Sequence, residues 1–304
     1  MKNIYRKWIN KKINKDELKN KTILITGGNS GIGLEVAKYC AYLKMNIIIT
    51  CRSVEKAESA IKEIKNAYSD ANISYLLLDT SSFSSVRKFS SSLIKKKIDI
   101  DFFYSNAGTF NLPKELTSDG YDRVIQTNYL GPFLLTHLLL PYLKNLPHKV
   151  KIIYTTSVTS KRAKINYEDI NSLTSTSKYS TYAESKLLNV HLYLYLINKC
   201  KDSNIIPLLV HPGVTATPLI FKAYPRWFAR IAILFMKIVF HSPEKAALST
   251  IALLDNAITK PCFYGPRGIY NISGFPKVNK INKHMKKDYS LSIKITMNLL
   301  KINN

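Results

Sequence analysis

Cysteine is scarce in this sequence, and the four present, Cys40, Cys51, Cys200 and Cys262, lie far apart and form no C-x-x-C pair. That spacing suggests neither a disulfide framework nor a metal site, and it fits a reducing compartment. Acidic residues are also few: 20 Asp and Glu stand against 45 Lys and Arg, a formal net charge of +25. Such a balance favours acidic partners: nucleic acid, phospholipid or a phosphorylated cofactor. The lysines, however, are spread among many Asn and Ile, with no zinc spacing, RNA-binding signature or local arginine cluster, so nucleic acid is discounted as a partner. Residues 1–15 are basic but lack the apolar core of a signal peptide, because charges separate Ile4, Trp8, Ile9 and Ile13. Their helical spacing allows a short amphipathic arm over 1–19; a frayed, solvated tail is the expectation. Neither an internal repeat nor a low-complexity block occurs.

What is present is a 304-residue chain with 46% hydrophobic content, enough for one large domain with a sizeable core. Its organising stretch is Thr26-Gly27-Gly28-Asn29-Ser30-Gly31-Ile32-Gly33, between an apolar run, Lys21 to Thr26, and a helical pattern from Leu34 to Lys44. Strand, glycine turn and helix together make a phosphate cradle. Without Cβ atoms, Gly27, Gly31 and Gly33 let a pyrophosphate approach the helix N-terminus, where unpaired N–H groups and the dipole favour negative charge. The spacing is G-x-x-x-G-x-G, not the G-x-G-x-x-G of the standard dinucleotide fingerprint.

Further apolar runs at Asn46 to Thr50, Ile73 to Leu78, Ile100 to Tyr104, Val150 to Thr155 and Ile205 to Val210 read as strands. Helical patterns alternate with them at Val54 to Tyr68, Phe83 to Lys96, Thr117 to Tyr142 and Tyr179 to Lys199, the third interrupted at Gly131-Pro132. This alternation predicts an α/β fold: a Rossmann-type, doubly wound parallel sheet with helices on both faces, in a single domain over 20–276.

Ligands of such sheets bind beyond the carboxyl ends of the strands. Arg52 lies there, where a cation suits the 2′-phosphate of NADP and an acidic residue would read the ribose of NAD; the alternative is a solvated arginine. Asp79 meets an adenine edge or merely caps the next helix. Asn106-Ala107-Gly108 sits on the cofactor path or forms a plain turn. Asn128, in an apolar helical pattern, is either a satisfied core amide or a functional one. Ser157 can hold a substrate oxygen by hydrogen bonding. Tyr182 and Lys186, at i and i+4, share a helix face, and the ammonium favours the phenolate that a proton donor to a developing alkoxide must become.

Taken in order, these motifs resemble the short-chain dehydrogenase/reductase family, and in particular its retinol dehydrogenase-like branch, over about Asp16 to Gly274. The residues carrying the resemblance are Thr26 to Gly33, Cys51-Arg52, Leu78-Asp79, Asn106-Ala107-Gly108, Thr127-Asn128, Ser157, Tyr182-Ala183-Glu184-Ser185-Lys186 and His211-Pro212-Gly213-Val214. The resemblance implies a catalytic tetrad of Asn128, Ser157, Tyr182 and Lys186, with Lys186 also gripping the nicotinamide ribose and Asn128 supporting a proton relay through water. It implies NADP(H) contacts from Gly27, Asn29, Ser30, Gly31, Ile32, Gly33, Arg52, Asp79, Asn106, Ala107, Gly108, Tyr182, Lys186, Pro212, Gly213, Val214 and Thr215, and no metal. Two departures stand out. Thr155-Thr156-Ser157 replaces the common double serine, so Thr156 competes for the serine's role, and the interval from Ser157 to Tyr182 is longer than in many short members.

Between Thr217 and Pro243, Lys222, Arg226, Arg230 and Lys237 fall within an arc of roughly 80° on a helix, opposite Trp227, Phe228, Ile231, Leu234, Phe235 and Ile238. This basic amphipathic stretch is too short and too charged to span a bilayer. It reads as a lid over an apolar substrate that also lies in a membrane interface, or as a core-packed helix with solvated charges. Residues 264–276 are expected to add a last strand, and 277–304 to form a basic tail with a surface helix at 290–300. The whole predicts a cytoplasmic NADP(H)-dependent oxidoreductase acting on a lipophilic aldehyde, ketone or alcohol, with peripheral contact to an intracellular membrane and a homodimer both compatible. The alternatives are a catalytically quiet NADP(H)-binding sensor or scaffold, and a peripheral lipid-binding protein.

Overall fold

Successive side chains of a strand point to opposite faces, and in the first two strands of this chain both faces are apolar. In β1 (Thr22–Thr26), Ile23 and Ile25 enter one core and Leu24 the other; in β2 (Asn46–Cys51), Ile47 and Ile49 oppose Ile48. The computed structural model describes residues 1–110, 113–175, 177–214, 242–268 and 273–302. Strands β3 (Ile73–Leu77), β4 (Phe102–Ser105), β5 (Val150–Thr155), β6 (Ile205–Val210) and β7 (Cys262–Pro266) extend a parallel array, and β8 (Pro276–Asn279) adds to it antiparallel. The order is β3-β2-β1-β4-β5-β6-β7-β8, so the winding reverses between β1 and β4, where doubly wound sheets open a crevice for ligands.

Eight helices of ten or more residues cover the sheet among the described residues: α1 (Asn3–Lys12), α2 (Gly31–Tyr42), α3 (Val54–Ala67), α4 (Phe83–Lys95), α5 (Gly131–Lys144), α6 (Lys178–Lys199), α7 (Pro243–Leu253) and α8 (Tyr289–Leu300). Buried residues of α1, α2, α3 and α7 form one core with the sheet, and those of α4, α5, α6 and α8 the other. Serine starts four of them: Ser53, Ser82, Ser177 and Ser242 each accept a first-turn N–H through the side chain.

Both ends of the chain differ from expectation. The N-terminal stretch is no frayed tail: α1 buries Tyr5 and Ile9, Ile13 follows them into the core, and Trp8 stacks on Phe275 at 5.9 Å. The residues that dock lie at i, i+4 and i+8, one stripe of a helix. The helix expected on the surface at 290–300 packs against α6, burying Ile293, Met297 and Leu300. Its polar residues are buried too, with Thr296 Oγ1 and Tyr129 Oη at 2.8 Å and Ser292 Oγ and His191 Nδ1 at 2.8 Å.

The pattern expected over Thr117 to Tyr142 begins as a helical turn at Arg123–Ile125 and widens into a π-turn, Gln126–Leu130, before α5. Pro132 supplies the reason. It has no N–H for the carbonyl of Asn128, four residues earlier, so the regular ladder cannot continue through this point.

Candidate active site

Leaving β1, the chain turns through Gly27 (φ +66°) and Gly31 (φ +56°) into α2. A Cβ at Gly33 would lie 2.4 Å from Gly27 O, so the helix can cross the turn this closely only with glycine there; at Gly31 nothing lies within 4 Å. The N–H groups of Gly31, Ile32 and Gly33 occupy the first turn of α2, where no intrahelical acceptor exists. Asn29 is half-buried and Ser30 exposed beside them. Open space in front of unpaired helix donors fits a pyrophosphate.

Asn106 laces the end of β4 to this loop. Its N–H and that of Ala107 both donate to Thr26 Oγ1 at 3.0 Å, and Nδ2 donates to Thr26 O at 2.9 Å and Gly27 O at 3.3 Å. Thr26 therefore fixes the cradle's shape, a role that the sequence reading did not assign. Arg52 is exposed one residue beyond β2 and has no ion pair among the described residues. Asp79 Oδ1 accepts from Ser81 N–H at 2.9 Å and from Ser81 Oγ at 2.6 Å, so this carboxylate shapes the turn before α4. Pro212, Gly213 (φ +80°) and Val214 follow β6, with Gly213 N–H donating to His211 Nδ1 at 3.3 Å. Thr215 and the expected lid, up to residue 241, lie outside the described residues.

Tyr182 and Lys186 stand one turn apart on α6, and Ser157 opens a short 3-10 turn, Val158–Lys161, beyond β5. The Ser157 hydroxyl lies near enough to the Tyr182 phenol to favour its ionised form. Burial pushes the Tyr182 phenol up to about 12, more than Ser157 brings it down. Burial likewise lowers the Lys186 ammonium to about 8. The expected lowering of the phenol is thus reversed: desolvation dominates, and the Lys186 ammonium lies 5.6 Å from the ring centre. Thr156 faces away, its Oγ1 donating to Lys186 O at 2.8 Å, and Ser157 is the hydroxyl that meets the tyrosine.

Asn128 sits in the π-turn as a bracket. Oδ1 accepts from Thr109 N–H at 2.7 Å, while Nδ2 donates to Thr109 O at 2.9 Å and to Ser185 Oγ at 3.0 Å. It holds the loop after Gly108 so that Phe110 lies against Tyr182, with ring centroids 4.7 Å apart. On the other side, Glu184 pins the irregular stretch before α6, accepting from Asn166 N–H and Ser172 Oγ, both at 3.0 Å. Its burial raises the carboxyl to about 7. Phe110 and Asn189 escaped the sequence reading. Asn189 had a signal, a polar residue within the apolar run Leu187, Leu188, Val190, one turn beyond Lys186.

Residues 21–225 match the family model for short chain dehydrogenase. The chain is 31% identical over 239 residues to the human polyprenol dehydrogenase, covering 76% of this chain and 72% of that one. It is 35% identical over 209 residues to human retinol dehydrogenase 13, covering 67% of this chain and 62%, less than two thirds, of that one. Among solved structures, an uncharacterized protein from Mycobacterium paratuberculosis superposes with a TM-score of 0.74 at 25% identity, over 95% of this chain and 98% of the other. A short chain dehydrogenase from Shigella flexneri, complexed with NADP, shares the fold at a TM-score of 0.64 and 20% identity, over 82% and 98% of the two chains.

Proposed function

The chain belongs to the short-chain dehydrogenase/reductase family and is an oxidoreductase, and from that premise we propose that it moves hydride between NADP(H) and a lipophilic aldehyde or ketone and its alcohol. The observation that carries the proposal is the cluster of Ser157, Tyr182 and Lys186 beside the open glycine cradle, at the carboxyl ends of β1, β4 and β5. In this reading the first-turn N–H groups of α2 hold the pyrophosphate, Arg52 pairs with the 2′-phosphate, and Lys186 grips the nicotinamide ribose. Bound there, the nicotinamide supplies or takes the hydride. Ser157 holds the substrate oxygen, and Tyr182 gives it a proton as negative charge develops. A phenol held at about 12 is protonated at neutral pH, the state that carbonyl reduction requires.

The lipophilic substrate class draws support from two directions. The relatives are named for polyprenol and retinol, both largely apolar alcohols, and the Phe110 ring provides an apolar wall at Tyr182. No helix among the described residues is long and apolar enough to cross a membrane, and peripheral contact through the basic stretch 217–243 completes the proposal. The deciding experiment is fluorescence titration of the purified protein with NADPH and NADH, followed by a panel of lipophilic aldehydes and ketones. NADPH binding with oxidation by a panel member is the expected result. Binding without turnover would favour the sensor, and binding of neither nucleotide would overturn the proposal.

A further inference from the structure

We propose that Asn189 is a positioning residue for Lys186: its side-chain amide fixes two backbone carbonyls, Asn128 O and Thr155 O, and thereby sets where the lysine ammonium rests. Asn189 lies one turn beyond Lys186 on α6 and is 4% exposed. Its Nδ2 donates to Asn128 O at 3.1 Å and to Thr155 O at 3.2 Å. The amide orientation follows from chemistry, because a flipped side chain would set an oxygen against two acceptors. Asn189 Oδ1 is buried and has no hydrogen-bond partner among the described residues. A buried, unpaired acceptor is unfavourable, so the residue is held in this orientation by the two carbonyls alone.

Both carbonyls need such a donor. Pro132 cannot supply the helical N–H to Asn128 O, and the π-turn leaves that oxygen facing α6. Thr155 ends β5, and its oxygen is shared: Lys186 Nζ reaches it at 3.4 Å, the long limit of a hydrogen bond, while Asn189 holds it more closely. Lys186 is therefore tethered loosely to Thr155. Among the described residues, the groups that face it from neighbouring elements are uncharged. A Cβ on Gly108 would lie 3.3 Å from both Lys186 Nζ and Asn128 Oδ1, which places the ammonium between the loop after β4, the π-turn and β5. Among the described residues the titratable neighbour is Tyr182, on the same helix. Asn189 thus keeps the ammonium from collapsing onto Thr155 O and leaves its donors for the site.

The kinetic consequence rests on the oxidoreductase reading; the geometric one does not. The test therefore has two arms, applied to Asn189→Leu, of similar size without donors, and Asn189→Ala, whose space admits a water that can donate to both carbonyls. In the first arm, Lys186 of the cofactor-free protein is labelled with acetic anhydride across pH and quantified by mass spectrometry. Freed of its competitor, Lys186 closes on Thr155 O in the leucine variant, and the labelling midpoint rises by about half a pH unit or more. The alanine variant stays near the wild type. In the second arm, kcat of carbonyl reduction falls about tenfold in the leucine variant, the size of one lost hydrogen bond, and recovers largely in the alanine variant, with KM little changed in both. Asn189→Val serves if the leucine variant does not fold, since it too removes both donors, adds no charge and fits the same space. An unchanged midpoint in the folded variants, with only the melting temperature lowered, overturns the proposal. Absence of turnover by the wild type would sink the oxidoreductase reading, while the labelling arm would still decide the role of Asn189.

Discussion

The ring of Phe110 stands edge-on to that of Tyr182, with an interplanar angle of 73°. The contact follows from the Asn128 bracket on Thr109, which fixes the backbone immediately before Phe110. If the ring also walls the substrate, Phe110→Ala removes apolar surface worth roughly 1.5–3 kcal/mol. We expect kcat/KM to fall about 10- to 100-fold for a long lipophilic aldehyde and far less for a short one. Equal losses on both would mean that Phe110 supports the tyrosine and not the substrate.

Tyr182→Phe deletes the proton donor while keeping the ring against Phe110. Turnover should drop by about 100-fold or more, the range of general acid catalysis, with NADPH affinity unchanged in the fluorescence titration. A variant that retains turnover removes Tyr182 from the chemistry.

What the sequence revealed and what it hid have physical causes. Strands β5 and β6 could be read directly from Val150–Thr155 and Ile205–Val210, because parallel strands buried on both faces are continuous apolar runs. The glycine cradle was legible for a similar reason: its chemistry is local. Asn189 was not, since its partners Asn128 and Thr155 are distant in the chain and only folding brings them to one side of α6. Helical spacing put Tyr182 and Lys186 on one face but carried no information on desolvation, which decides the direction of both shifts. The burial of Ser292 and Thr296 in α8 rests on His191 and Tyr129, which only folding brings to them.

Arg52 is exposed and has no ion pair among the described residues, so its charge is available to a ligand. Arg52→Asp should shift the NADPH to NADH preference by about 10- to 100-fold, the worth of a charge-assisted hydrogen bond lost and a repulsion gained. Dissociation constants for both nucleotides measure it. An unchanged ratio would place 2′-phosphate recognition at another residue.

Ile9 is fully buried in the core that α1 shares with α2 and α7. Replacing it with alanine leaves a cavity that costs about 2–4 kcal/mol, whereas a residue of a solvated tail would cost almost nothing. Urea denaturation of Ile9→Ala decides between them, and a change below about 0.5 kcal/mol would detach α1 from the core.

Two buried groups give stability an unusual dependence on pH. Burial raises the Glu184 carboxyl from 4.5 to about 7, so the native state binds the proton more tightly than the unfolded chain. Its contribution is complete below about 4.5 and is lost as pH rises to about 7, a change of at most about 3 kcal/mol. His191 behaves oppositely: burial lowers it from 6.5 to about 4, so its contribution is present above 6.5 and is lost as pH falls towards 4. Between pH 4.5 and 6.5 the two slopes oppose each other. Glu184→Gln leaves the His191 slope alone in that window and keeps an acceptor for Asn166 N–H. The melting temperature of the variant should therefore rise from pH 4.5 to 6.5 and then level off, while that of the wild type stays flatter across the same range and declines towards pH 7. Parallel curves for the two proteins would show that Glu184 ionises in the folded state as readily as in the unfolded chain.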